Sequence, residues 1–326
     1  MSQMKSKIIT VIPVYNGEAF IIQTLQSLAD QTLRPDRVIV QDNRSTDNTE
    51  RLVKEFKPIK VEWRQHEANL GCFGNCNRAL ALATETEYLH LICADDMVAP
   101  EYYATLTRAL DDCDGFGLGY ALDERIDENN RRLSLSAKIT GEIEVQSAAD
   151  FLREKSEIAN QAFSGSLLKT HYQEVPCRFW MDLPILADMM FWAEFGKHCK
   201  KIVRVHQPLA QYRWHGANGT SNFAPELQSL VLDEWRLMQA IEKLRGSPGG
   251  FVRQFKLKGL FGVRSGIKAK RFREQGNPAY SRQIAQAARK ISGPLAWYMA
   301  QVIVHARDVL VYKLGGRKKH PKNIYG

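Results

Sequence analysis

The feature that most constrains this chain is an alternation, over its first hundred residues, of short apolar runs with segments of helical period. Ile8 to Val14 is continuously apolar or β-branched, as a strand covered on both faces must be. Phe20, Ile21, Thr24, Leu25 and Leu28 then recur at helical spacing. Val38-Ile39-Val40 begins a second buried strand that ends at Asp42, and Asp47 and Glu50 are spaced as a capping box for the next helix. The pattern predicts a third strand over 59–63, a helix over 75–83 and a fourth strand over 88–92 that leads into Asp95-Asp96. Such a βαβαβαβ order requires an α/β fold with a mostly parallel sheet and helices on both faces.

From about Phe116 the rhythm changes to a strand at Gly117–Tyr120, a turn at Asp127–Asn130, a helix over 185–195 and a strand over 202–205. Beyond Pro225 the periodicity is helical, with breaks at Gly246–Gly250 and Gly276-Asn277-Pro278. A boundary is therefore expected near 225, between an α/β body (a first half over about 1–100, a second over about 101–225) and a helical region over 226–326. Charge divides in a similar place. Residues 251–326 hold 17 Lys and Arg against 2 Asp and Glu, a net +15, whereas residues 1–250 hold 28 against 34, a net −6. Six cysteines are too few for a disulfide scaffold in 326 residues, and none has Cys-x-x-Cys zinc spacing. The first apolar run is short and carries Pro13, unlike a signal peptide, so a reducing cytoplasm is the expected setting.

In an open parallel sheet, ligands bind beyond the carboxyl ends of the strands. Three such ends carry polar groups here: Tyr15-Asn16, Asp42-Asn43 and Asp95-Asp96. The blocks around them resemble family 2 glycosyltransferases. Val11-Ile-Pro13-Val-Tyr15-Asn16 is similar to that family's opening strand, Ser27-Leu28 with Gln31-Thr32 to the end of its first helix, and Val40-Gln-Asp42-Asn-Arg-Ser-Thr-Asp47 to its second strand end. Asn69-Leu-Gly71, followed by Gly74-Asn75 and Asn77, resembles the third block, and Ala94-Asp95-Asp96 the metal motif. Looser similarity runs through Leu186-Ala-Asp188 and Pro208 to His215.

The resemblance implies a GT-A-like, Rossmann-like fold that moves a sugar from a nucleotide-sugar donor, a UDP-sugar above all, to an acceptor hydroxyl with inversion. It implies donor contacts from Pro13, Tyr15, Asn16, Asp42, Asn69, Gly71, Asn75, Ala94, Asp95 and Arg213, with Asp42 accepting the nucleobase N–H. It also implies Mn²⁺ or Mg²⁺ at Asp95, Asp96 and His215, since hard cations prefer carboxylate oxygen and neutralise phosphate charge. Cys93 stands where the family often has an acid, so weaker metal binding is expected, with Asp95 as the main ligand. Asp188 matches the family's catalytic base, although Ala187 precedes it where many relatives carry a second acid. Each acidic residue also has a plainer reading as a helix cap or turn former, and Asp47 is expected to be a cap rather than a ligand. Trp180, Phe191 and Trp192 are expected in the core.

In the basic arm, the stretch from Pro294 to Leu314 is long enough to span a bilayer, but His305, Arg307 and Asp308 interrupt it. Central charges cost about 2.5–3.5 kcal/mol each on insertion scales, so a helix lying in the headgroup plane is expected, with Trp297 and Tyr298 at the interface. The resulting expectation is a cytoplasmic enzyme peripheral on the inner face of the cell membrane, with residues 251–326 on anionic lipid and a saccharide or lipid-linked saccharide as acceptor in polysaccharide or glycan assembly. A donor-binding relative of impaired activity is an alternative. An NAD-type oxidoreductase would need G-x-G-x-x-G where Tyr15 to Phe20 has one glycine, and no nucleic-acid partner is expected of an acidic body.

Overall fold

β1 (Ser6–Val14) is the hub of the sheet, flanked in parallel by β2 (Arg37–Asp42) and β4 (Thr86–Leu91). α1 (Ile21–Ala29) connects β1 to β2, and α2 (Thr49–Glu55) leads to β3 (Val61–Gln65), which extends the parallel pairing beyond β2. α3 (Cys72–Leu80), continued by a 3₁₀ turn over Ala81–Glu85, returns the chain to β4. The structure, a computed structural model, describes residues 6–156, 163–183, 185–216, 227–246 and 250–313. It divides into two compact units, Met1–His215 and Gly216–Gly326.

After β4 come β5 (Met97–Val98), α4 (Tyr102–Leu110), β6 (Gly117–Ile126), β7 (Arg132–Leu135), β8 (Ile143–Gln146) and α5 (Ala148–Ser156). β9 (Ser166–Lys169), α6 (Ala187–His198) and β10 (Lys201–Arg213) complete the first unit. The sheet order is β3-β2-β1-β4-β9-β6-β10-β5, with β7 on β6 and β8 on β10. The expected parallel arrangement thus holds through β4, and beyond it the sheet is mixed because β9 runs antiparallel to both β4 and β6. β10 is far longer than the short strand expected over 202–205. Its register against β6 shifts on either side of Pro208, which has no N–H to give the ladder.

α1 covers the sheet with Ile21, Leu25 and Leu28, each fully buried, and burying such side chains stabilises by about 1.5–3 kcal/mol apiece. They join Ile8, Ile12, Tyr88, Tyr102, Tyr103 and Leu106 in one apolar core. α2 starts differently from expectation. Its N-cap is Asn48 with no side-chain cap, while Asp47 binds the Thr49 amide and hydroxyl and also accepts the Glu18 amide across the loop.

The second unit comprises α7 (Leu227–Leu244), α8 (Phe251–Glu274), α9 (Pro278–Ser292) and α10 (Pro294–Lys313). Glu234 of α7 is 2% exposed and meets both Arg264 (2.9 Å) and Lys268 (2.7 Å) of α8. Burial alone would raise its carboxyl, but the two cations hold it below the usual range. No described helix is long and apolar enough to cross a membrane.

One buried polar chain runs through the first unit. Thr10 Oγ1 lies 2.5 Å from Tyr103 Oη, which lies 2.8 Å from His90 Nδ1, and His90 Nε2 is 2.9 Å from the Ser164 carbonyl. A carbonyl only accepts, so Nε2 carries the proton, Nδ1 accepts from the Tyr103 hydroxyl, and Tyr103 accepts from Thr10. Burial of this neutral ring pushes the His90 pKa down to about 4. The unfolded chain, with His near 6.5, therefore takes up the proton first. The His90 contribution is fully present above about pH 6.5 and is lost as pH falls toward 4, by up to roughly 3 kcal/mol. Urea unfolding across that window should show a decline in stability that His90→Gln flattens; equal slopes for parent and variant would refute the assignment.

Candidate active site

The polar strand ends converge through short backbone clamps. Beyond β1, Tyr15 is exposed and Asn16 sits at φ 52°, a left-handed conformation that asparagine tolerates. Its Oδ1 accepts the Thr46 amide (2.8 Å), and its own amide donates to Ser45 Oγ (2.8 Å), tying the β1–α1 loop to the β2–α2 loop. Pro13 faces Gln41 of β2 at a point where β1 has already passed its last pairing with β4, Val11 with Leu91, so on that side its missing N–H orphans no ladder acceptor.

Asp42, at the end of β2, is fully buried. Its oxygens accept the Ser45 amide (3.1 Å each) and Gln65 Nε2 (2.8 Å), so the turn-forming role is realised in the fold itself. Asn43, a neighbour outside the expected site set, clamps the third block. Its Nδ2 donates to Asn69 Oδ1 (2.8 Å) and the Gly71 carbonyl (3.1 Å), and its Oδ1 accepts the Leu70 amide (2.8 Å). Asn69 is exposed, and Gly71 takes φ 74° at the start of α3, with open space where a Cβ would lie. Asn75 is 2% exposed and is exchanged into the sheet through Gln41, giving Nδ2 to its carbonyl (2.9 Å) and accepting Gln41 Nε2 at Oδ1 (2.8 Å).

The loop after β4 is held from three directions. Thr24 Oγ1 of α1 lies within donating distance of the carbonyls of Ala94 (2.9 Å) and Asp96 (2.8 Å). Asp96 is 1% exposed; its Oδ2 accepts Ser164 Oγ (2.6 Å) and its Oδ1 the Arg213 amide (2.9 Å). Burial first, and then the charge of Asp95, push its carboxyl well above the usual range. Asp95 is 28% exposed, and its Oδ2 meets His215 Nε2 at 3.0 Å. Ligand atoms of Cys93, Asp95 and Asp96 all lie within 4.8 Å of one another. Burial, then Asp96 and Asp95, push the Cys93 thiol well up. This mixture of carboxylate, imidazole and sulfur donors fits a divalent cation, with Asp95 and His215 the more accessible pair and Asp96 already engaged in holding the loop.

Arg213, expected to face the donor, is instead fully buried with its guanidinium on protein acceptors. It donates to the carbonyls of Asp95 (2.9 Å) and Asp127 (3.1 Å), to Asn130 Oδ1 (2.6 Å) and to Gln23 Oε1 (2.9 Å). The Phe20 ring lies 4.6 Å from its Cζ and also packs on His215, ring centroids 4.8 Å apart.

Asp188 occupies the first turn of α6, half-buried, with Oδ1 on the Met189 amide (2.7 Å). Asn77 of α3 is bonded both ways to the backbone of Phe179 (2.9 and 2.8 Å), which stitches the segment before α6 to α3. The charges of Asp188 and Asp95 both tend to raise the Cys72 thiol at the start of α3. The Cys72 thiol is nonetheless lowered, chiefly by a hydrogen bond from Cys76. Phe191 and Trp192 are buried, with Phe179 stacked on Phe191 at 4.2 Å, while Trp180 donates Nε1 to Glu194 (3.1 Å). Ser164 is a site residue that pattern reading missed, and Asn43 was named only as a polar strand end, without its clamping role. Asn43 adjoins a motif acid and was within reach, but Ser164 lies in no motif.

Arg213→Lys keeps the charge but cannot reach four separated acceptors, leaving part-buried carbonyl and amide oxygens without their donor. Urea unfolding should show a loss of about 2–4 kcal/mol. A variant as stable as the parent would remove Arg213 as the tie between these loops.

Comparison with known proteins identifies the arrangement. Residues 9–168 match the family model described as Glycosyl transferase family 2. The uncharacterized glycosyltransferase YibD of Escherichia coli (strain K12) is 33% identical over 114 residues, which cover 34% of this chain and 33% of YibD. An uncharacterized glycosyltransferase of Nostoc sp. is 25% identical over 222 residues, covering 65% of this chain and 66% of that protein. The chain thus spans between a third and two thirds of the length of these curated relatives. Among solved structures, Staphylococcus aureus TarS 1–349 in complex with UDP-GlcNAc superposes with a TM-score of 0.63 at 17% identity, covering 96% of this chain and 93% of that one. At that identity the likeness is one of fold, the GT-A α/β architecture with following helices. Residues 9–168, which hold the three polar strand ends and Ser164 though not Asp188, Arg213 or His215, thus belong to glycosyl transferase family 2.

Proposed function

We propose that the chain is a metal-dependent, inverting glycosyltransferase that moves a sugar from a UDP-sugar to a saccharide acceptor. The observation that carries this reading is the Asp95–His215 contact of 3.0 Å in the loop after β4, with Asp188 in the first turn of α6 as the second acid. One carboxylate then stands beside a donor diphosphate and the other beside an incoming hydroxyl. Tyr15, Asn16, Asn69 and Gly71 line the nucleoside side in this reading. Pro13, Asp42, Asn75 and Ala94 shape its walls from within, since Asp42 and Asn75 are buried.

Asp188 accepts the acceptor hydroxyl proton as that oxygen bonds to the anomeric carbon. The carbon–oxygen bond to the diphosphate breaks on the opposite face, its electron pair leaves with UDP, and configuration inverts. A cation held by Asp95 and His215, with Cys93 and Asp96 adjoining, would supply charge neutralisation at the diphosphate. Arg213 acts in this scheme by fixing the Asp95 backbone rather than by touching phosphate.

The acceptor is a lipid-linked saccharide in polysaccharide or glycan assembly, reached at the inner face of the cell membrane. The net charge of +15 over residues 251–326 supports that location by its attraction to anionic lipid.

UDP-GlcNAc, the ligand of the TarS structure, is the first donor to test, followed by other UDP-sugars. Thermal shift with and without Mn²⁺ reads binding directly. Asp95→Asn should abolish the Mn²⁺-dependent part of the shift, and Cys93→Asp should strengthen it; a metal-dependent shift unchanged by Asp95→Asn would sink the ligand assignment. Asp188→Asn should slow transfer by roughly 10²–10⁴-fold with donor affinity unchanged. Near-parent turnover would remove Asp188 from the mechanism and direct attention to Asp182.

A further inference from the structure

α10 presents two unlike faces. Ala296, Ala300 and Val304, spaced by one turn, are buried, and a Cβ placed on Gly262 or Gly266 of α8 would lie 3.0 Å from Ala300 or 3.3 Å from Val304. These small residues let the two helices approach closely. On another face, Leu295, Tyr298, Met299, Val302 and Ile303 recur at spacings of three and one, all between 47% and 69% exposed. Five large apolar side chains in one exposed stripe are more than scattered surface residues. Trp297, expected at an interface, is half-buried beside the stripe, whereas Tyr298 is in it.

The surrounding charge selects the occupant. Residues 251–313 carry 13 Lys and Arg against 2 Asp and Glu. Arg253, Arg264, Lys268 and Lys270 pair with glutamates. Lys256, Arg273, Arg282, Arg289 and Lys290 are exposed and form no ion pair among the described residues. A second copy of this unit would meet like charge. The stripe is also only about 12 Å long at 1.5 Å per residue, far short of the roughly 800 Å² per partner of a standard interface. A fluid anionic bilayer has neither limitation, since it takes a short apolar ridge at the headgroup boundary while its phosphates meet the cations.

We infer that the Leu295–Ile303 stripe of α10 inserts into the headgroup boundary of an anionic phospholipid bilayer, with the unpaired lysines and arginines of the same unit holding the lipid phosphates. This deepens the membrane-surface part of the proposed function and rests on it.

The full-length protein is to be sedimented with phosphatidylcholine vesicles containing 0–40% phosphatidylglycerol, at low and high salt. The parent should bind in proportion to the anionic fraction. Val302→Ser/Ile303→Ser should lower partitioning about tenfold or more at low salt, with an unchanged melting temperature. Should that variant melt lower, vesicles brominated along the acyl chain provide the second reading on the parent. They should quench emission from Trp297, identified by its loss in Trp297→Phe, and the absence of that quenching would overturn the inference. Unchanged vesicle binding by the folded double variant overturns insertion in favour of charge alone. Parent protein that self-associates through the stripe in sedimentation velocity overturns it in favour of a second copy. Parent protein indifferent to all vesicles overturns both the inference and the membrane reading. Donor binding in the thermal-shift assay is scored separately, so the transferase reading stands or falls by itself.

Discussion

The candidate site depends on a single buried carboxylate. Asp96 sits in the loop after the central strand β4 with its oxygens occupied by the Ser164 hydroxyl and the Arg213 amide. A buried carboxyl is costly unless hydrogen-bonded, and here the partners that lower that cost come from distant parts of the chain. Satisfying one side chain therefore brings together the end of β4, the turn before β9 and the end of β10. Asp95 is left facing outward beside His215 as a result. Arg213 adds the second tie, reading the Asp95 carbonyl while its amide serves Asp96, so one residue fixes both neighbours of the motif.

This distribution of labour separates two kinds of polar residue that look alike in a sequence. Asp42, Asn75, Asp96 and Arg213 are spent within the protein, and they set the shape of the loops. Tyr15, Asn69, Gly71 and Asp95 keep exposed surface. Asp42 ends β2 and Asp95 lies in the loop after β4, both in motif-like blocks, and only their surroundings tell them apart.

The first four strands and their helices were legible because burial on both faces leaves continuous β-branched runs, and α1 because its stripe repeats at 3.6 residues. The mixed half of the sheet was not. β9 is a four-residue strand whose antiparallel placement follows from partners nearly eighty residues earlier, and no local pattern encodes that. β10 was read too short because Pro208 marks a break in local terms, whereas a bulge lets the strand continue. At the site, resemblance supplied the motif residues, including His215 beside Asp95. It did not supply Ser164, a lone serine whose role exists only once Asp96 and Cys93 are folded against it. Nor did it reveal that the Arg213 guanidinium would turn inward, since an arginine beside a histidine reads the same in either orientation.

The clamps also differ in how far along the chain they reach. Those that tie the ends of β1 and β2 to their neighbours join residues 26 to 34 apart, as in Asn43 to Asn69, Asn16 to Thr46 and Gln41 to Asn75. Those around the loop after β4 span 68 residues for Ser164 to Asp96, 120 for His215 to Asp95 and 190 for Arg213 to Gln23. Loop closure costs more as separation grows, and contacts of high order form late. A chain emerging from the ribosome can thus close the loops at its first strand ends while β10 is still unsynthesised. The surroundings of Asp95 and Asp96 become whole only when the last strand of the sheet is laid down, so a half-made molecule holds its first strand ends in place while that acidic pair still lacks its partners.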